Sequence, residues 1–175
     1  MVGAAMAAEP TPLNLSQRYD VAWGGIPIGR IRFSATEADG HYKVTVDTKT
    51  GGVARIFSDE KTMAMVEGDG GIATHYTPRR YQSQPQKNGK GVNTVLTYNT
   101  EGKLEKRERV PDDDPAWRAP VPVEEANTAT DPITAGLRLR RLMIEHLADP
   151  AADAELRTYE GARLAVMKFT RISTH

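Results

Sequence analysis

A strict polar–apolar alternation in two consecutive segments, joined by Asp39 and Gly40, constrains the fold most strongly. The first segment, residues 29–34, places Ile31 and Phe33 on one side. The second segment, residues 41–47, likewise places Tyr42, Val44 and Val46 on one side. A period of two puts the apolar side chains on one face of a strand, and Asp-Gly favours a two-residue hairpin turn. The pattern therefore predicts an antiparallel sheet with one apolar and one polar face.

Further segments extend this sheet in both directions. Tyr19, Val21 and Trp23 alternate with polar residues upstream, and Leu96 and Tyr98 do so downstream. We expect additional strands at the following places: 62–66, 72–84 as an edge or outward strand, 104–110 as a solvated strand, 155–159 and 163–172. Residues 53–57 fit either a helical turn or a strand. The continuously apolar run 164–167 predicts that the last strand is covered on both sides.

One long helix is predicted over residues 132–148. Asp131 is a suitable N-cap and Pro132 suits the first helical position. Apolar residues recur at helical spacing along one stripe. Three arginines at its middle form either a solvated face or a site for phosphate or lipid headgroups: Arg138, Arg140 and Arg141. The predicted fold class is mainly β (α+β), a curved antiparallel sheet or open half-barrel packed against one long helix.

Residues 111–131 interrupt the regular pattern. They are rich in proline, which excludes a regular helix or a central strand, so we expect a long surface loop anchored by Trp117. The acids Asp112, Asp113 and Asp114 are the best candidates for a cation site, with a solvated acidic turn as the alternative. Their spacing differs from that of an EF-hand loop, and we predict no metal site.

Length and charge limit the possible functions. The chain has 175 residues, which fits one domain with a single core. Its 23 basic and 23 acidic residues balance, which argues against a nucleic-acid partner. It contains no cysteine, so disulfides, thiolate metal sites, cysteine nucleophiles and a cysteine-linked lipid anchor are excluded. No apolar stretch reaches the roughly 20 residues that span a bilayer.

The first residues suggest export. Ala5, Met6 and Ala7 have the small-x-small pattern of a signal-peptidase site, although a basic segment is missing before them. We interpret residues 1–14 as the remnant of a signal peptide and a flexible start, with an ordinary alanine-rich N-terminus as the alternative. Residues 15–175 then form one β-rich domain.

Chemical motifs do not indicate an enzyme. The nucleophile elbow, the zinc-protease motif, the Walker A loop and the dinucleotide fingerprint are all missing from the sequence. The four histidines show no metal-ligand spacing. We predict no catalytic residue and no cofactor.

The apolar face of the sheet is the candidate ligand-binding site. Its inward aromatic and aliphatic side chains could line a cavity for an apolar ligand or could form an ordinary core. The candidate residues are Tyr19, Val21, Trp23, Ile31, Phe33, Tyr42, Val44, Leu96 and Tyr98.

Four segments, in order, resemble the bacterial family known as domain of unknown function 3108. They are residues 19–29 (YDVAWGGIPIG), 51–59 (GGVARIFSD), 131–135 (DPITA) and 159–163 (YEGAR). The resemblance implies an exported protein of the Gram-negative envelope without an accepted activity or known catalytic residues. It also implies an open β half-barrel with a helix on its concave side, as in periplasmic lipoprotein carriers. The chain ends earlier than the resemblance implies, as in a short member or a sequence truncated at both ends.

Two hypotheses of function follow, and a third has less support. The first is a non-enzymatic periplasmic or cell-envelope protein that binds a lipid or other apolar small molecule in its curved sheet. The second is an envelope scaffold that binds another envelope protein through a sheet edge or the proline-rich loop. The third, a glycan hydrolase, requires a pair of convergent carboxylates that the sequence does not identify.

Overall fold

The computed structural model describes residues 12–114, 116, 118–146 and 154–169. The predictions for Ala5, Met6, Ala7 and Trp117 lie outside these residues. No helix among the described residues is long and apolar enough to cross a membrane. The elements in chain order are β1 (Asn14–Trp23), β2 (Ile26–Ala38), β3 (His41–Thr50), a 3-10 helix (Gly52–Ile56), β4 (Glu60–Asp69), β5 (Thr77–Lys87), β6 (Lys90–Gly91), β7 (Asn93–Tyr98), β8 (Leu104–Val110), α1 (Val123–Ala126), α2 (Pro132–His146), β9 (Ala154–Tyr159) and β10 (Leu164–Phe169).

The strands β1 to β8 form one open antiparallel sheet that follows chain order. Its path is β1-β2-β3-β4-β5-β7-β8, with the short β6 also paired to β5. The turn between β2 and β3 has φ of 53° at Asp39 and 74° at Gly40, the left-handed values that this two-residue turn requires. The predicted mainly β fold and its curved, open antiparallel sheet are therefore confirmed.

Strand pairing keeps the apolar side chains on one face. Val44 of β3 pairs with Ala35 of β2 and with Val66 of β4. Val66 pairs with Tyr81, which in turn pairs with Leu96. We call this face, on which α2 packs, the inner face, and the opposite one the outer face.

Helix α2 begins directly over the inner face. The Asp131 carboxylate accepts hydrogen bonds from the backbone N–H groups of Ile133 (3.0 Å) and Thr134 (2.9 Å), so it caps the helix as predicted. The hydroxyl oxygens of Tyr42 and Thr134 lie 2.9 Å apart and join the sheet to the first helical turn. Arg138 donates to the carbonyl oxygen of Tyr76 at 2.9 and 3.1 Å. These contacts seat the first two helical turns on the sheet.

Three details differ from the sequence-based predictions. Residues 72–84 do not form an edge strand, because β5 lies between β4 and β7 and its Tyr81 is buried in the core. The run 164–167 is not covered on both sides, because β10 pairs with β9 outside the large sheet and leaves Val166 47% exposed. Finally, Arg138 and Arg141 donate to backbone carbonyls of residues 74–76, so the arginines of α2 are not merely a solvated face.

A close approach near Tyr42 explains why β4 carries Gly68. A Cβ atom there would lie 2.3 Å from the Thr77 carbonyl oxygen and 2.7 Å from a ring carbon of Tyr42. Both distances are shorter than any van der Waals contact. The side chain of Tyr42 can therefore lie flat against β4 only where β4 has no side chain.

We expect Gly68→Ala to destabilise the fold by about 1–3 kcal/mol, since the added methyl overpacks this contact. Gly136→Ala is the matched control, because Gly136 lies exposed in α2 with nothing within 4 Å of the new Cβ. This control should stabilise the protein by up to about 1 kcal/mol through helix propensity. Urea denaturation of both variants measures the difference. Equal stability of the two variants would contradict the proposed close packing.

Candidate functional site

Most of the predicted site residues lie together on the inner face of the sheet. Tyr19 of β1 pairs with Ile31 of β2. Phe33 of β2 pairs with Val46 of β3. Because neighbouring strands pair antiparallel with matched alternation, these side chains share the face that carries Val44 and Leu96. The structure nevertheless divides the predicted set into a covered and an uncovered part.

The covered part lies beneath α2 and forms ordinary core. Four predicted site residues belong to it and are at most 4% exposed: Tyr42, Val44, Leu96 and Tyr98. Tyr42 packs edge-on against Tyr76, with ring centroids 5.3 Å apart. The β9–β10 turn adds to the cover, since Arg107 donates to the carbonyl oxygen of Gly161. This half of the aromatic face therefore fits an ordinary core rather than a cavity for an apolar ligand.

The uncovered part lies on β1 and β2, beyond the end of the helix cover. Val21, Ile31 and Phe33 are each only half-buried, and Tyr19 is 51% exposed. Phe33 packs against the buried cluster, so the uncovered part continues directly from the core. An apolar surface therefore extends from the core into solvent on the same side of the sheet.

Trp23 does not join this surface as a buried residue. It is 81% exposed at the end of β1, next to the Gly24–Gly25 turn. The register of β1 and β2 shifts between Val21 and Ala22, and Trp23 pairs with Ile26 at the last position of β1. Alternation alone gave no indication that the register would shift before the end of the strand.

Two residues of the uncovered part were absent from the predicted site. Val46 and Ala64 pair with each other in the middle of the sheet and are half-buried against the core. The alternation of β3 already placed Val46 on the apolar face. Ala64 carries no such signal, because Met63 and Met65 flank it and make β4 look apolar on both faces. We call the half-buried or exposed set Tyr19, Val21, Ile31, Phe33, Val46 and Ala64 the uncovered strip.

A buried polar cluster lies beneath the start of α2. Asp131 is fully buried, and its second carboxylate oxygen has no hydrogen-bond partner among the described residues. The hydroxyls of Tyr98 and Thr130 are likewise buried without a described partner. Burial raises the pKa of Asp131, while hydrogen bonds from Thr134 act in the opposite direction. A carboxyl group in these surroundings favours its neutral form more than an exposed one does.

The tyrosines around this cluster are poor acids. Burial raises the pKa of Tyr81 to about 12. Burial and the nearby Asp131 also raise the pKa values of Tyr42 and Tyr98. Their hydroxyls therefore stay protonated at neutral pH and act as hydrogen-bonding groups rather than as bases.

Three other carboxylates, those of Glu37, Asp112 and Asp113, have structural partners. Glu37 accepts hydrogen bonds from the Tyr76 hydroxyl and, at 3.3 Å, from the Ile72 backbone N–H. Asp112, a candidate cation ligand in the sequence, accepts from Arg107 at 2.6 and 3.1 Å. Asp113 lies 3.0 Å from Arg118. Asp112 and Asp113 therefore balance arginines of the same region.

Comparison with known proteins adds one finding. The family model described as "Protein of unknown function (DUF3108)" matches residues 18–174. This is the family that the four sequence segments resemble. No curated protein and no solved structure matches the chain.

The buried Asp131 predicts a pH dependence of stability. Its raised pKa means that the folded protein holds a proton that the unfolded chain loses above about pH 4. The contribution of Asp131 to the free energy of unfolding is therefore largest at low pH, and it falls as the pH rises above about 4. Asp131→Asn keeps the cap and removes the titration, so it should gain stability relative to the original protein between pH 4 and 7.

Urea denaturation at pH 4 and at pH 7 measures this gain in stability. Asp131→Ala serves as the comparison, because it removes the cap and should cost about 1 kcal/mol at pH 4. A constant difference between the original protein and Asp131→Asn across this range would refute the raised pKa.

Proposed function

The chain belongs to the DUF3108 family of proteins of unknown function, and from that premise we propose that it is a non-enzymatic protein that binds an apolar ligand. The ligand is a lipid or another molecule with an acyl chain. Its site is the uncovered strip of the inner face. The periplasm of a Gram-negative bacterium is the location that accompanies this proposal, on the strength of the signal-peptidase pattern at residues 5–7.

The observation that carries the proposal is the continuity of the strip with the core. Phe33, Val46 and Ala64 contact the buried cluster, whereas Ile31 and Tyr19 form the neighbouring cross-strand row and continue the apolar surface into solvent. The strip crosses four strands, a span of roughly 14 Å at the usual strand spacing. An acyl chain laid across it would gain about 0.8 kcal/mol for each methylene removed from water.

A binding role also agrees with the chemistry of the inner side. The Asp131 carboxylate caps α2, and the Glu37 carboxylate is held by Tyr76 and Ile72. Both carboxylates are engaged in structural contacts, which supports a binding role over glycoside hydrolysis, a reaction that requires two carboxylates flanking a bond.

A scaffold that binds another envelope protein is the second candidate. Within the described residues, β1 and β8 each have one neighbouring strand, so each presents an edge. An extended segment of a partner could add to the ten-residue β1 by main-chain hydrogen bonding. The proline-rich loop near Trp117 is the other possible contact.

Ile31→Asp tests the binding proposal. The substitution places a charge in the middle of the uncovered strip, where it would face the ligand. We expect it to weaken binding of the fluorescent fatty acid cis-parinaric acid at least tenfold, since an unpaired charge against an acyl chain loses its hydration. Fluorescence titration in detergent-free buffer measures the affinity.

Ser34→Asp is the matched control, because Ser34 is exposed on the outer face of the same strand. It should leave the affinity unchanged. Circular dichroism and denaturation confirm that both variants fold. Absence of fatty-acid binding by the original protein, or equal affinity of the two variants, would contradict the proposal and favour the scaffold.

A further inference from the structure

One end of the sheet carries large apolar side chains that nothing in the described structure covers. Trp23 and Ile26 flank the β1–β2 turn and are 81% and 51% exposed. Ile56 and Phe57, at the end of the 3-10 helix, are 81% and 86% exposed. Side chains of this size are rarely left so open when they have no partner.

The two turns that carry these residues are held together. The backbone N–H of Gly51 donates to the carbonyl oxygen of Ile28 at 3.0 Å. A Cβ atom at Gly52, where φ is 56°, would lie 2.2 Å from the carbonyl oxygen of Pro27. Only glycine permits this approach, so the start of the 3-10 helix packs directly against the start of β2. We call Trp23, Ile26, Ile56 and Phe57 the apolar tip.

A basic cleft of about 730 Å³ adjoins the apolar tip. Its lining includes five basic residues: Arg30, Arg32, Lys49, Arg55 and Lys61. Two acids, Asp20 and Asp47, also line it. The cleft is therefore cationic, although the whole chain has no net charge.

The arrangement of these cations destabilises the sheet. Arg30 pairs directly with Lys49 across β2 and β3, and Lys49 pairs directly with Lys61 across β3 and β4. Like charges at directly opposite positions destabilise a sheet. Asp20 lies 2.8 Å from Arg30 and relieves that end of the row. Among the described residues, no carboxylate lies within ion-pair distance of Lys49, Lys61 or Arg32.

We propose that this end of the sheet docks onto the surface of an anionic phospholipid membrane. Headgroup phosphates occupy the basic cleft and compensate the like-charged row, while the apolar tip enters the interfacial region. Aromatic and aliphatic residues next to a cationic patch suit this boundary, where apolar burial and electrostatic attraction add. A soluble phosphate would satisfy the cleft but would leave the apolar tip exposed, which favours a lipid surface.

This docking surface is separate from the uncovered strip. The cations of Lys49 and Lys61 project from the outer face, whereas Ile31 lies on the inner face. The proposal therefore does not require that the protein carries an acyl chain.

Vesicle co-sedimentation tests the proposal with the full chain. The probes are phosphatidylcholine vesicles with and without about one third phosphatidylglycerol. We expect binding to the anionic vesicles only, weakened by added salt because screening acts on exposed charges. Lys49→Gln combined with Lys61→Gln should weaken it roughly 30-fold. Trp23→Ser combined with Phe57→Ser should also reduce it at least tenfold.

The matched control removes two charges from the same face in another row. Lys43 and Lys106 lie in one cross-strand row of the outer face, away from the cleft, and both are exposed. Lys43→Gln combined with Lys106→Gln should change vesicle binding less than threefold. All variants are checked for folding by circular dichroism.

Several results would overturn the docking proposal. These are equal binding to neutral and anionic vesicles, equal effects of the cleft and control variants, or no effect of the apolar-tip variant. Displacement from vesicles by inorganic phosphate, beyond the effect of chloride at equal ionic strength, would assign the cleft to a soluble anion instead. Fatty-acid binding without vesicles should be the same in the cleft variant and the original protein, so failure of one proposal does not imply failure of the other.

Discussion

The structure depends on a mismatch in area between the apolar face of a wide sheet and the one long helix that covers it within the described residues. Helix α2 has 15 residues, which makes it about 22 Å long and roughly 10 Å across. The sheet is about 30 Å wide, and its ten-residue strands β1, β3 and β4 reach roughly 33 Å. One helix covers only about a quarter of such a face. The β9–β10 turn adds cover near β7 and β8, so the remaining apolar surface falls on β1 to β4.

The placement of α2 decides which part of the face becomes core. Asp131 fixes the start of the helix, and the contact between Tyr42 and Thr134 fixes that start on β3. From this point the helix passes Tyr76, whose backbone carbonyl oxygen accepts a hydrogen bond from Arg138. The same contacts place a carboxyl group and several tyrosine hydroxyls in the interior. Buried oxygens of Tyr98, Thr130 and Asp131, which have no hydrogen-bond partner in the described part of the chain, make this a polar part of the core.

The sheet could be predicted from the sequence, whereas the division of its inner face could not. Alternation at Tyr42 and Val44 and the Asp39–Gly40 turn are local signals, and the N-cap at Asp131 is local too. Burial of Tyr81 depends instead on its place in the middle of the sheet, between Val66 and Leu96, which the polar run 72–84 does not indicate. Exposure of Tyr19 depends on where α2 lies, more than a hundred residues later. The row of Arg30, Lys49 and Lys61 could not be predicted either, because these three residues become neighbours only through strand register.

The chain-order pairing of the strands also has a consequence for how the protein folds. Each strand from β2 to β5 pairs with the strand that precedes it in the chain, so these contacts are local and low in contact order. Residues 131–146, in contrast, must return across a long stretch of chain to reach Tyr42. Sheet assembly can therefore precede helix docking, and until the helix arrives the whole inner face is open. A sheet that forms before α2 docks would expose its apolar inner face to other chains, and a chaperone would act at that stage.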